Sequence, residues 1–282
     1  MKTLSDPDLE MLARRAQDGD RHALEELALA VKDGLYNLAL RMLWHPQDAE
    51  DATQEILVKL LTRLGSFRGE AAFTTWAFRV AANHLITARR RRAERQDLSF
   101  DAFAADLMEG LADPRDHGVD EHLLEEEVKI GCTQGMLLCL DREHRLAYIL
   151  GEVFEINSIE AAFIADTTPE AFRKRLQRSR QRIVSFMQGN CGIVDPGNAC
   201  RCRRRINAAV ARGRVEPAAL HFATHPRRDP AVRRGVAEMD RLRDAAAVFR
   251  SHPQYGSPAA VAEAITKLLR STDLQLLAEQ NE

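Results

Sequence analysis

The 282-residue chain carries 40 Lys and Arg against 42 Asp and Glu, with 45% apolar and 29% charged residues. This composition excludes a disordered chain, and the formal net charge of -2 excludes uniform basicity, so any surface for nucleic acid must come from segregated charge. The opening MKTLSDPDLEMLARR lacks the apolar run of a signal peptide and no stretch is long enough to span a bilayer, which predicts a cytoplasmic chain with no membrane partner and room for two or three domains.

From Asp6 to about Arg92 apolar residues return at three and four positions and no strand-like alternation competes, so the spacing predicts successive helices. Asp6-Pro7 opens the first, Asp18-Gly19-Asp20 separates it from the second, and Pro46 forces a boundary before a third whose apolar face is Ile56, Leu57, Leu60, Leu61 and Leu64. That third helix, DAEDATQEILVKLL, sets Asp48, Asp51, Gln54 and Glu55 beside the leucines. Charge pattern alone leaves two uses open, a solvated face or a dock for a basic partner. The fourth segment, FRGEAAFTTWAFRVAANHLITARRRR, joins aromatic rings to Arg79, Asn83 and a basic end that includes Arg89 and Arg90. Rings and arginines suit single-stranded DNA, since bases stack and guanidinium groups neutralise phosphates, although Phe73, Trp76 and Phe78 taken singly read as core.

Periodicity fades over 96–119, read as a linker that Phe100, Phe103 and Leu107 could dock, and helices resume from Asp120 to Gln188 with acid gathered at Glu125 to Glu127. Within that stretch NSIEAAFIADTTPEAFRKRLQRSRQRI reads as helix, tight turn, helix, with Asn157 or Ser158 and then Thr168 as caps and Pro169 at the first position of the second helix. Glu170, Arg173, Lys174, Arg175 and Arg178 then lie on a candidate recognition helix, the other reading being a basic amphipathic helix for a partner protein or a membrane surface. Phe172, Leu176 and Ile183 are available to the core.

Five cysteines without a secretory context argue against a disulfide framework. Cys132 and Cys139 fall in an apolar helical pattern and read as core residues. Cys191, Cys200 and Cys202, with His221 and His225 downstream, supply soft donors in a segment too small for its own core. They leave three uses open: a site for zinc or another metal, a thiol redox switch, or reduced thiols in a basic DNA-facing loop. In the last helical stretch Val232, Val236, Met239 and Leu242 form a stripe for core packing or, as the alternative, for docking.

Three of these segments, in this order, resemble the extracytoplasmic-function (ECF) subfamily of bacterial RNA polymerase sigma factors, over about Asp6 to Gln188. DAEDATQE resembles the polymerase-binding helix of sigma region 2, FRGEAAFTTW with the following RVAANHLITARRRR resembles the part that recognises and melts the minus-ten element, and Asn157 to Ile183 resembles region 4, the reader of the minus-thirty-five element. In the last of these Ala165-Asp166-Thr167 stands where the family commonly has a Leu-Gly turn. The resemblance implies an all-α fold: region 2 over 1–95, a linker over 96–119, a region 4 helix-turn-helix over 120–188, and a C-terminal extension with a Cys-rich loop and helices over 189–282. It implies core RNA polymerase and promoter DNA as partners, with an anti-sigma factor as a further candidate, no cofactor required, and no catalysis by the chain itself. By analogy with family members that carry such additions, the extension would regulate the chain. The competing expectation is a stand-alone helix-turn-helix regulator sensing metal or oxidant; a metal-dependent enzyme has little support, since neither a deaminase motif nor a phosphate loop occurs.

Overall fold

The computed structural model describes residues 6–88, 98–223, 245–250 and 252–270, and these are helical with no strand among them. They group into two compact units: the described residues of Met1–Arg89, Ile159–Pro169 and Tyr255–Glu282 form the first, and those of Arg90–Ser158 and Glu170–Gln254 the second. Residues 159–169 group with the first unit, and the described residues of 189–282 are divided between both units.

In the first unit α1 (Asp6–Gln17), α2 (Arg21–Leu43), α3 (Pro46–Thr62) and α4 (Phe73–Thr87) pack on one another. The Asp20 side chain caps α2, accepting from the backbone N–H groups of His22 and Ala23 at 3.0 and 3.1 Å. Leu27, Leu35, Leu38 and Leu40 of α2, Ile56, Leu57 and Leu60 of α3, and Phe73 and Ala77 of α4 are all buried and make the core. The late helix α12 (Ala259–Arg270) joins this bundle by packing on α2 and α3. Its approach is fixed by polar contacts. Asn37 of α2 donates to the Tyr255 carbonyl at 2.6 Å and accepts from the Tyr255 N–H at 2.9 Å, while Asp33 accepts from the Ser257 N–H at 2.9 Å.

The second unit holds α5 (Phe100–Met108), α6 (Glu121–Leu137), α7 (Arg142–Tyr148) with a π turn at Ile149–Val153, α9 (Pro169–Asn190), α10 (Cys202–Ala211) and α11 (Ala245–Arg250). The short α8 (Ser158–Ile164) begins at the last residue of this unit and continues in the first. The expected linker contains α5. Ser99 caps it, and Phe100 and Phe103 stack against Phe186 of α9 with ring centroids 5.2 and 5.7 Å apart. Leu124 and Val128 of α6 share a core with Ile206 and Ala209 of α10 and with Val215. Glu126 and Glu127 are buried, so the acidic run is no surface patch. The stripe of Val232, Val236, Met239 and Leu242 lies outside the described residues.

One carboxylate gathers the arginines that follow the cysteines. Asp106 of α5 pairs with Arg205 at 3.2 Å, with Arg212 at 3.3 Å and with Arg214. Burial raises its pKa, but the hydrogen bond from Arg214 and the charges of Arg214, Arg205 and Arg212 outweigh that and hold the carboxyl below its ordinary 3.8. A depressed carboxyl stabilises the fold above its unfolded pKa, and that contribution is lost as pH falls through the folded value. Asp106→Asn is therefore expected to cost about 1–3 kcal/mol at neutral pH. Denaturant titrations across pH should show the gap to wild type closing below 3.8.

Candidate polymerase and nucleic-acid interface

The polar side of α3 follows from its helical register. Ala49, Ala52, Thr53, Ile56, Leu57, Leu60 and Leu61 are buried, which turns Asp48, Asp51, Gln54 and Glu55 to the other side. Glu55 is exposed while Asp48, Asp51 and Gln54 are half-buried. The negative field there is concentrated. Burial and then the Asp51 charge push the neighbouring Glu50 carboxyl above its usual range. The same face meets α4 through His84, whose Nε2 lies 3.1 Å from Glu55 and whose Nδ1 lies 2.8 Å from Lys59 Nζ. Lys59 must donate to Nδ1, which leaves the Nε2 hydrogen facing the carboxylate.

On α4, the rings divide their work. Phe73 is buried, and Phe67, Phe73 and Trp76 form a cluster with centroids 5.3 to 5.7 Å apart. Trp76 is only half-buried and lines an open cavity of about 290 Å³ together with Phe67, Arg68, Glu70 and Arg79. Arg79 is positioned from outside its helix: it pairs with Asp166 at 2.5 Å and lies 4.5 Å over the Phe163 ring. Thr75, one turn earlier, donates to Glu160 at 2.5 Å. Asn83, four residues after Arg79, shares its side of the helix. Arg89 and Arg90 lie outside the described residues.

The turn after α8 forms without glycine. Asp166 adopts φ 48°, its N–H reaches the Phe163 carbonyl at 3.3 Å, and the Thr167 N–H reaches the Ala162 carbonyl at 3.0 Å. This is a Schellman stop with aspartate at the left-handed position, one of the few side chains that take it at low cost. Pro169 then occupies the first position of α9, as expected. Phe172, Ser179, Ile183, Phe186 and Met187 are buried, and Arg173, Lys174 and Arg178 are exposed. Leu176 seats α9 against the π turn at Gly151, where a Cβ would stand 2.6 Å from its methyl carbon. Neighbouring acids orient several cations: Lys174 pairs with Glu170 at 2.7 Å, Arg175 with Glu143 at 2.8 Å, and Arg180 with Glu152. Sequence reading overlooked the last two acids, because nothing local to α9 announces them.

The cysteine segment gains a neighbour from α6. Cys132, expected as plain core, lines one cavity with Cys191, Cys200 and Cys202. Burial, then the nearby Cys191 and Cys200, push the Cys132 thiol well up, and Cys202 is raised by burial and then by Cys132, Cys191 and Cys200. His221 is not among the residues lining that cavity, its backbone N–H being held by Glu127 at 2.8 Å, and His225 lies outside the described residues. Among the described residues no group of three or more His, Cys, Asp or Glu side chains is arranged to hold an ion as it stands. No helix there is long and apolar enough to cross a membrane.

Comparison with known proteins bears on the same stretches. Residues 27–95 match the family model for Sigma-70 region 2. The chain is similar to the RNA polymerase sigma-H factor of Pseudomonas aeruginosa, 30% identical over 184 residues that span 64% of this chain and 93% of that protein. It is similar to the ECF RNA polymerase sigma factor SigW of Bacillus subtilis, 29% identical over 60% of this chain and 91% of that one. The ECF RNA polymerase sigma-E factor of Escherichia coli is 29% identical over 64% and 94%.

Proposed function

The chain belongs to the ECF family of RNA polymerase sigma factors, an all-α promoter-recognition subunit acting with core polymerase, and from that premise we propose which of its surfaces do the work. The acidic side of α3, through Asp48, Asp51, Gln54 and Glu55, docks on a basic surface of the polymerase. The open pocket of α4 takes a base displaced from the minus-ten element, with Trp76 offering a stacking face and Arg79 and Asn83 holding the strand. Through Arg173, Lys174 and Arg178, α9 enters the major groove of the upstream element, its first arginines reading guanine edges and the later ones phosphates. Bond-making belongs to the polymerase, which places this chain's work in the cytoplasm. Regulation would fall to its own tail, with a separate anti-sigma factor as the alternative.

The observation that carries the reading is the pairing of α3 and α4. Adjacent helices of one packed bundle present an acidic stripe and a pocket joining an aromatic ring to a guanidinium, which are the two chemistries that polymerase docking and strand capture need. Run-off transcription with purified core polymerase tests it: discrete starts with the intact chain support it, and their absence alongside tight duplex binding without core would overturn it.

The Arg79–Asp166 pair gives a finer test. If Arg79 holds DNA, the carboxylate competes with phosphate for it. Asp166→Asn keeps a residue that tolerates the left-handed turn and removes the charge. Because the pair is partly exposed it is worth up to about 1 kcal/mol, so the affinity of the assembled holoenzyme for fork-junction DNA should rise by up to about fivefold. Arg79→Ala should lower the same affinity; two unchanged anisotropy titrations would remove Arg79 from the DNA surface.

A further inference from the structure

We propose that Cys132, Cys191, Cys200 and Cys202 form a four-thiolate site for one structural Zn²⁺ ion that fastens the tail to α6. The four residues come from separate places in the chain, the middle of α6, the end of α9, the following loop and the first turn of α10, yet they line one small cavity of about 20 Å³. None of the four is in a disulfide. Four cysteines lining one cavity supply the soft donor composition of a closed zinc site, which the thiols would complete by turning toward a common point.

The loop that brings three of them together is built for close approach. Cys191 and Cys200 pair as an isolated β-bridge, so their backbones lie side by side. Gly192 is required there, because a Cβ would run into the Cys200 carbonyl and the Arg201 guanidinium. Asn198 ties the loop back, donating to the Gln188 carbonyl at 2.9 Å and the Cys191 carbonyl at 3.2 Å, and the Asp195 carboxylate turns the chain by accepting from the Gly197 N–H at 2.8 Å. This hydrogen-bonded loop holds the cysteine backbones in place. What remains to close the site is rotation of each thiol about its single χ1 bond, a choice among staggered positions.

The surroundings also suit the charge. Four thiolates on a divalent ion leave a net charge of minus two, which needs nearby cations in a buried place. Lys129 and Arg205 line the same cavity, and the rest of its wall is mainly apolar. A redox switch would ask for a fully exposed thiol, whereas Cys200 is buried and Cys132, Cys191 and Cys202 are half-buried. Binding an ion between α6 and the loop would couple metal to tail docking, since a site assembled from distant segments does not exist in the unfolded chain.

The test is metal content, a readout independent of transcription. The full chain, purified under reducing conditions without chelator, is expected to carry one zinc by mass spectrometry. Replacement by Co²⁺ should give thiolate charge-transfer bands and the strong visible bands of a tetrahedral site. Cys132→Ser should weaken zinc binding by more than the about 10- to 100-fold that loss of a second-shell partner costs, while His221→Ala and Cys139→Ser keep the zinc. Should Cys132→Ser fail to fold, the Co²⁺ spectrum of the wild-type chain still counts the thiolates. No metal after supplying zinc, retention of full affinity in folded Cys132→Ser, a cobalt spectrum with fewer than four thiolates, or a Cys191–Cys200 disulfide in the reduced preparation would each overturn the proposal.

Discussion

With core polymerase and a promoter library, the wild-type chain is expected to give transcripts from discrete sites and Asp51→Arg to give none. The physical case rests on α3. Its opposite side is filled by Ile56, Leu57 and Leu60, so reversing Asp51 leaves the bundle's apolar packing intact. What changes is the field. Asp51 already presses on Glu50, whose carboxyl burial and that neighbouring charge hold above its usual range. Replacing one negative charge with a positive one at the centre of Asp48, Gln54 and Glu55 turns attraction for a basic partner into repulsion. Close charge pairs across interfaces couple by about 1.5–7 kcal/mol, and a loss of about 3 kcal/mol lowers affinity by about 100-fold. A circular dichroism spectrum unchanged from wild type would show that folding is not the cause. Transcription that survives the reversal would take α3 out of the polymerase interface.

How much of this was legible depends on where each residue's partners lie. The buried face of α3, the proline start of α9 and the aspartate turn before it were readable because helical register and capping are decided by residues within a few positions. Within the expected linker α5 went unread as a helix, because nine residues give too few turns for apolar periodicity to register. The surroundings of Cys132 were hidden for another reason. A thiol in an apolar helical pattern looks the same in sequence whether it faces leucines or other thiols, and its cysteine neighbours in the cavity arrive from beyond α9. Distant ties are hidden likewise: the Asn37–Tyr255 hydrogen bonds join residues 218 apart, which no local pattern announces.

Glu127 is the clearest instance, and it carries the second large prediction. By composition it belongs to an acidic run suited to a solvated surface; in the fold it is 2% exposed. Its two oxygens accept from three consecutive backbone N–H groups, His221 at 2.8 Å, Phe222 at 2.8 Å and Ala223 at 2.7 Å. A chain segment 94 to 96 residues away is thereby held by charge-assisted bonds in a place where water is excluded. Glu127→Ala removes all three acceptors at once and leaves buried donors unsatisfied, which should cost about 3–5 kcal/mol. Glu127→Gln keeps one carbonyl oxygen for the Phe222 and Ala223 N–H groups and should lose less. In thermal unfolding the alanine variant is expected to shift the midpoint of the second unit down by about 6–15 °C, and hydrogen exchange should localise the loss to the backbone of His221 to Ala223. If exchange there stays as slow as in wild type, the carboxylate is not what anchors this stretch of the tail, and its burial must be stabilised by the apolar contacts of Phe222 instead.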